Sequence, residues 1–102
     1  MTGEQLTAML AKRVMAWQVH PDRFIKSGRS WIPRWRFKPL TRLDDAFQLL
    51  DHAGGTWVLS VGLDGVFTAE VKIGGRIGRA SGEPKARTIT LALCQALGIG
   101  VA

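Results

Sequence analysis

From Arg29 to Lys38 the chain reads Arg-Ser-Trp-Ile-Pro-Arg-Trp-Arg-Phe-Lys, with cations interleaved among Trp31, Trp35 and Phe37. This pattern could hold a polyanion. Guanidinium and ammonium groups neutralise phosphates, and an exposed indole stacks a base for about 1–3 kcal/mol. In an extended chain Trp35 and Phe37 would take one face, and Arg34, Arg36 and Lys38 the other. The competing reading has Trp31, Trp35 and Phe37 anchoring the segment to the core beneath a solvated layer of arginines. Packing is the more economical role for the aromatics. For the cations, an anionic partner and a solvated face weigh equally. The candidate anion or nucleic-acid contacts here are Arg23, Lys26, Arg29, Trp31, Arg34, Trp35, Arg36 and Lys38.

A second candidate contributes Arg76 and Arg79, within Gly74-Gly75-Arg76-Ile77-Gly78-Arg79-Ala80-Ser81-Gly82. This run leads into a helix bearing Lys85 and Arg87 near its start. Cations there oppose the helix dipole, by about 0.3–1 kcal/mol each, unless an anion sits at the free N–H groups. The glycine spacing is neither a Walker loop nor a dinucleotide fingerprint. A glycine-loosened edge strand with solvated arginines is therefore the simpler reading. Catalytic options are sparse. His20-Pro21-Asp22 and Asp51-His52 each pair an imidazole with a carboxylate but lack a third group, and Cys94 sits on an apolar helix. No zinc-protease, paired-carboxylate or Ser-His pattern is present, so the expectation is a non-enzymatic protein without cofactor or metal.

The charge distribution singles out the first segment. The chain carries 14 Lys+Arg against 8 Asp+Glu, a net +6. Residues 18–42 hold Arg23, Lys26, Arg29, Arg34, Arg36, Lys38 and Arg42 against one acid, Asp22, while basic and acidic residues balance in the remainder. All the net charge thus comes from a quarter of the chain. With 102 residues, 46% hydrophobic content and 22% charged content, a single globular domain over 1–102 is expected, with a basic aromatic loop at 20–40. One cysteine excludes an internal disulfide framework and a Cys-rich zinc site. No apolar run has the length of a membrane span, and the first residues lack the basic start and apolar core of a signal peptide. The expected location is cytoplasmic, without membrane association.

The elements that must present these residues follow from periodicity. Thr2 with Gln5 forms a capping box, and Leu6, Met9, Leu10, Val14 and Trp17 make one helical stripe that Pro21 ends by about Val19. From His20 to Leu40 neither a helical nor a strand period is visible. Thr41 is the expected N-cap of a second helix with Asp44 and Asp45 in its first turn, closed by Gly54-Gly55. Trp57–Leu63 and Phe67–Ile73 alternate as strands around Asp64-Gly65. A two-residue turn at Gly74-Gly75 would oppose Glu70 to Arg79 on a third, edge strand, Arg76–Ala80. Ser81 or Gly82 would cap a last helix with Pro84 in its first turn, an apolar stripe of Ala86, Ile89, Leu93 and Leu97, and Gly98 at its end. The fold class is α+β: a small three-stranded antiparallel meander packed with three helices, in the order α, long loop, α, β, β, β, α.

Phe37-Lys38-Pro39-Leu40-Thr41-Arg42-Leu43-Asp44-Asp45-Ala46, with Trp17 upstream, the Trp31-x-Pro33 element and the Ala/Ile/Leu-rich terminal helix, resembles the phage ABA sandwich domain family. The resemblance covers nearly the full chain, including the Trp57–Ile73 strand pair and the Arg87–Leu97 helix. It implies an α+β fold and a phage or prophage setting, and it assigns no activity to any residue. The arginine-rich loop departs from the family pattern. The expected function is therefore a small binding protein whose basic loop contacts nucleic acid or a nucleotide, with inhibition of host defence as one purpose for such binding. The rival is an adaptor or inhibitor that docks on an acidic protein surface without a nucleic-acid role. Self-association as a homodimer is compatible with either.

Overall fold

The computed structural model describes residues 2–100. Helix α1 (Gly3–Arg13) starts on the expected capping box: the Thr2 hydroxyl accepts the Gln5 N–H at 3.1 Å, and the Gln5 amide oxygen accepts the Thr2 N–H at 2.9 Å. Leu6 and Leu10 face the core, with Met9 and Val14 half-buried beside them. The helix stops at Arg13, well short of the expected boundary at Val19. The cause is local. Ala16 adopts a left-handed φ of 58°, and the Trp17 N–H turns back to the Ala11 carbonyl at 3.0 Å. That reversal carries Trp17 into the core, where its ring meets Phe37 at 5.0 Å and Phe24 at 5.9 Å.

The expected loop at 20–40 contains a sheet. Strands β1 (Gln18–Val19), β2 (Arg23–Ser27) and β3 (Ser30–Pro33) form an antiparallel meander, followed by a 3-10 turn at Arg34–Arg36. Val19 pairs with Phe24 and Phe24 with Ile32, so these three share the inward face. Gln18, Ile25 and Trp31 share the outward face, with Arg23 opposite Pro33 one step along. These strands are too short to show a period, the register shifts between Ile25 and Ser27, and Gly28 turns the chain at a φ of 52°. The extended alternation expected over Arg34–Lys38 is also not formed. The 3-10 turn instead sends Trp35 outward and Phe37 inward.

Helix α2 (Leu43–Ala53) has Arg42, not Thr41, at its N-cap and no side-chain cap bond. The Thr41 hydroxyl is turned away and donates to the Lys38 carbonyl at 3.4 Å. Asp44 and Asp45 supply the negative charge the helix start favours, and Gly54 ends it at a φ of 77°. The expected meander follows as β4 (Thr56–Val61), β5 (Phe67–Ile73) and β6 (Arg76–Ser81), with β5 central. Gly74 and Gly75, at φ values of 55° and 84°, make the two-residue turn that opposes Glu70 to Arg79. Strand β4 ends at Val61 rather than Leu63, because Asp64 Oδ1 accepts the Val66 N–H at 3.0 Å inside a longer connection. Helix α3 (Lys85–Leu97) has Pro84 at its N-cap, not Ser81 or Gly82.

Helix α3 is the spine of the molecule. Ile89, Ala92, Leu93 and Ala96 are buried, because β5 and β6 cover one side and α2 packs on another. Gly78 on β6 permits that approach. A Cβ there would fall 1.9 Å from the Ala92 carbonyl oxygen. The buried Thr90 hydroxyl donates to the Pro39 carbonyl at 2.8 Å, tying the end of the basic segment to α3.

Candidate nucleic-acid interface

The outward face of β2–β3 presents Arg23 and Trp31, the turn between these strands carries Arg29, and the 3-10 turn that follows carries Trp35 and Arg36. Diagonal placement on the sheet lets the Arg23 guanidinium stack over the Trp31 ring at 4.8 Å. Arg23 also donates twice to Asp22 Oδ2, from Nε at 3.1 Å and Nη2 at 2.7 Å. These bonds hold the Asp22 carboxyl below the usual carboxylate range and raise the guanidinium of Arg23. The one acid of the basic segment is thus occupied by a neighbour. Arg34 is fixed by three contacts: its N–H donates to the Asp22 carbonyl at 3.2 Å, Nη1 donates to the His20 carbonyl at 3.0 Å, and its guanidinium lies 4.9 Å from the Phe24 ring. Lys26 Nζ lies 5.5 Å from the Trp17 ring.

The aromatics divide into two groups. Phe37 is buried edge-on against Trp17 and Phe24, as an anchor. Trp31 is 52% exposed and Trp35 66% exposed, in contrast to the anchoring role expected for them. The physical reason is the sheet: it supplies the burial from Val19, Phe24 and Ile32, which frees both indoles from the core. Arg42 Nε approaches Asp45 Oδ2 at 3.9 Å, while Lys26, Arg29, Arg34, Arg36 and Lys38 have no carboxylate partner among the described residues.

Beside these residues lies an open cleft of about 470 Å³. Arg34, Trp35, Phe37 and Lys38 form one wall, and Gly3, Glu4 and Thr7 of α1 form the other. Lys38 is oriented from its backbone, whose N–H donates to Asp45 Oδ2 at 2.8 Å. The α1 wall was not legible in the sequence, since Gly3-Glu4-Gln5 reads only as a helix start. Its Glu4 puts one carboxylate beside the cations.

Arg76 and Arg79 lie apart from this arrangement, on β6. They share with it no hydrogen bond, ion pair or cleft wall among the described residues. Arg76 lies against Gly98 at the carbonyl end of α3, where a cation complements the dipole. Arg79 faces Glu70, and its N–H donates to Gln95 Oε1 at 3.0 Å. At the start of α3, Lys85 Nζ lies 3.8 Å from Glu83 and 5.8 Å from the Phe67 ring. His52 Nδ1 is 3.0 Å from the Gln48 carbonyl of its own helix. Cys94 is buried as expected, and burial pushes its thiol up to about 11.

No family model and no curated protein matches the chain. A solved structure does match its fold. That structure is a phage protein from Bacillus cereus ATCC 14579, with a TM-score of 0.75 over 100% of this chain and 93% of that one, at 15% identity. The likeness extends over both sheets and all three helices, and at this identity it concerns the fold alone. Among the described residues no helix is long and apolar enough to cross a membrane.

Proposed function

We propose that the chain is a phage-type binding protein whose Trp31–Trp35 surface takes single-stranded nucleic acid. The carrying observation is that Trp31 and Trp35 are exposed in a segment whose Lys26, Arg29, Arg34, Arg36 and Lys38 have no carboxylate partner among the described residues. A folded protein hides tryptophan where it can, and this one buries Trp17 and Phe37 a few residues away. Stacking on Trp31 and Trp35 would supply sequence-tolerant affinity, and Lys26, Arg29, Arg34, Arg36 and Lys38 would follow the phosphates. The spread of these groups over two strands and two turns suits a strand of nucleic acid better than a single nucleotide. The phage origin of the fold neighbour and the resemblance to the phage ABA sandwich domains support the same setting. In that setting a strand-binding protein would act in handling phage nucleic acid or in blocking host defence.

Titration with a short single-stranded oligonucleotide at low salt tests this reading. Binding should quench tryptophan fluorescence, and Trp31→Ala and Trp35→Ala should each remove part of the quench. An unchanged spectrum would end the proposal. If an acidic protein fragment saturates the surface where the oligonucleotide does not, the protein-docking alternative takes its place.

A further inference from the structure

The second sheet has an unprotected edge. Strand β4 reads Thr-Trp-Val-Leu-Ser-Val over Thr56–Val61, without a charge, a proline or a glycine, and its outer edge has no strand partner among the described residues. The other edges carry protection: β1 has two residues, β3 ends on Pro33, and β6 bears Arg76 and Arg79. The hydrogen-bond parity of β4 follows from its neighbour. Gly62 N–H donates to the Val66 carbonyl at 3.0 Å and Gly82 N–H to the Phe67 carbonyl at 2.8 Å. Thr56, Val58 and Ser60 therefore pair with β5, and Trp57, Leu59 and Val61 direct their N–H and C=O groups out of the sheet. The side chains at this edge are also uncovered, with Val58 64% and Val61 62% exposed and Leu63 wholly so.

We propose that β4 pairs with β4 of a second copy, antiparallel about a two-fold axis at Leu59, joining two three-stranded sheets into one. In this register Trp57 opposes Val61 of the other copy and Leu59 opposes Leu59. Each pair is one whose backbone groups are free, so both N–H···O=C bonds can form. Side-chain parity agrees, because Trp57, Leu59 and Val61 share a face and would meet as an apolar cluster. Continued by one step, the register places the exposed Leu63 against the bare Gly55 of the second copy. Charge selects a second copy as the occupant. The net +6 comes from residues 18–42, whereas this strip is uncharged, so an acidic partner finds no cation on it and two copies meet here without a like-charge contact.

Sedimentation equilibrium in high salt, from low micromolar to near-millimolar protein, tests the pairing. The mass should rise from 11.2 kDa toward twice that value. The Trp57, Leu59 and Val61 amides should gain exchange protection with concentration. Val61→Lys changes an exposed residue and should weaken association by at least about tenfold. Its thermal melt should stay cooperative, and Ile77→Lys on the opposite edge should leave the dimer intact. A monomer throughout the range overturns the proposal, as does a dimer indifferent to Val61→Lys or equally lost in Ile77→Lys.

Discussion

Trp31 and Trp35 carry the functional reading because the residues around them already satisfy the core. Phe37, two positions beyond Trp35, is buried edge-on against Trp17, so the two aromatic side chains have opposite roles. If the indoles serve stacking, truncating either to alanine should cost about 1–3 kcal/mol of oligonucleotide affinity. Folding stability should change by about 0.5 kcal/mol or less, as for other exposed positions. Phe37→Ala should behave in the opposite way, losing about 3–5 kcal/mol of stability through a core cavity. Chemical denaturation beside a binding titration separates the two patterns. Cys94 gives a pH test of the interior. Its thiol is raised from 9.0 to about 11, so the folded state retains a proton that the unfolded state releases. Stability relative to Cys94→Ala should hold below pH 9 and fall as pH rises toward 11, by about 2–3 kcal/mol in total. Melts of both proteins across that window measure the difference.

At the scale of elements, the second half of the chain was legible because its signals are local and redundant. Gly74-Gly75 fixes the turn, the alternation from Phe67 to Ile73 fixes the faces, and together they set Glu70 against Arg79. The first sheet was not legible. Its inward residues Val19, Phe24 and Ile32 come from three short strands, and only their pairing brings them together. Of the two arginines between them, Arg23 lies on the outward face of β2 and Arg29 in the turn to β3. The charge of this segment is plain in the sequence, but its strands are not, for this reason. Thr41 does not cap α2: the helix starts after Arg42, and the Thr41 hydroxyl donates to the Lys38 carbonyl. Gly78 had no sequence signal beyond being a glycine in a strand, yet it sets the contact between β6 and α3. Gly78→Ala places a methyl against the Ala92 carbonyl and should destabilise the fold by about 1–3 kcal/mol or more. A denaturant titration should show a lower midpoint, and unchanged stability would mean that α3 is free to move away from the sheet.

The whole molecule measures 46 × 26 × 23 Å along its principal axes. Within it, charge and apolar edge belong to different sheets: the cations cluster on β1–β3 and the turn after it, and the bare strand edge is β4. An oligonucleotide surface and a self-association surface can therefore coexist without competing for residues. The central claim concerns the first of these, and its most direct test is the salt dependence of binding to a short single strand. Each phosphate contact contributes about −0.7 to the slope of log K against log salt, so the five cations without a carboxylate partner among the described residues set a limit of about −3.5. The wild-type slope should lie between about −2 and −3.5, and Arg36→Ala should make it shallower by about 0.7. A flat slope, or one that Arg34→Ala, Arg36→Ala and Lys38→Ala together leave unchanged, would contradict the account.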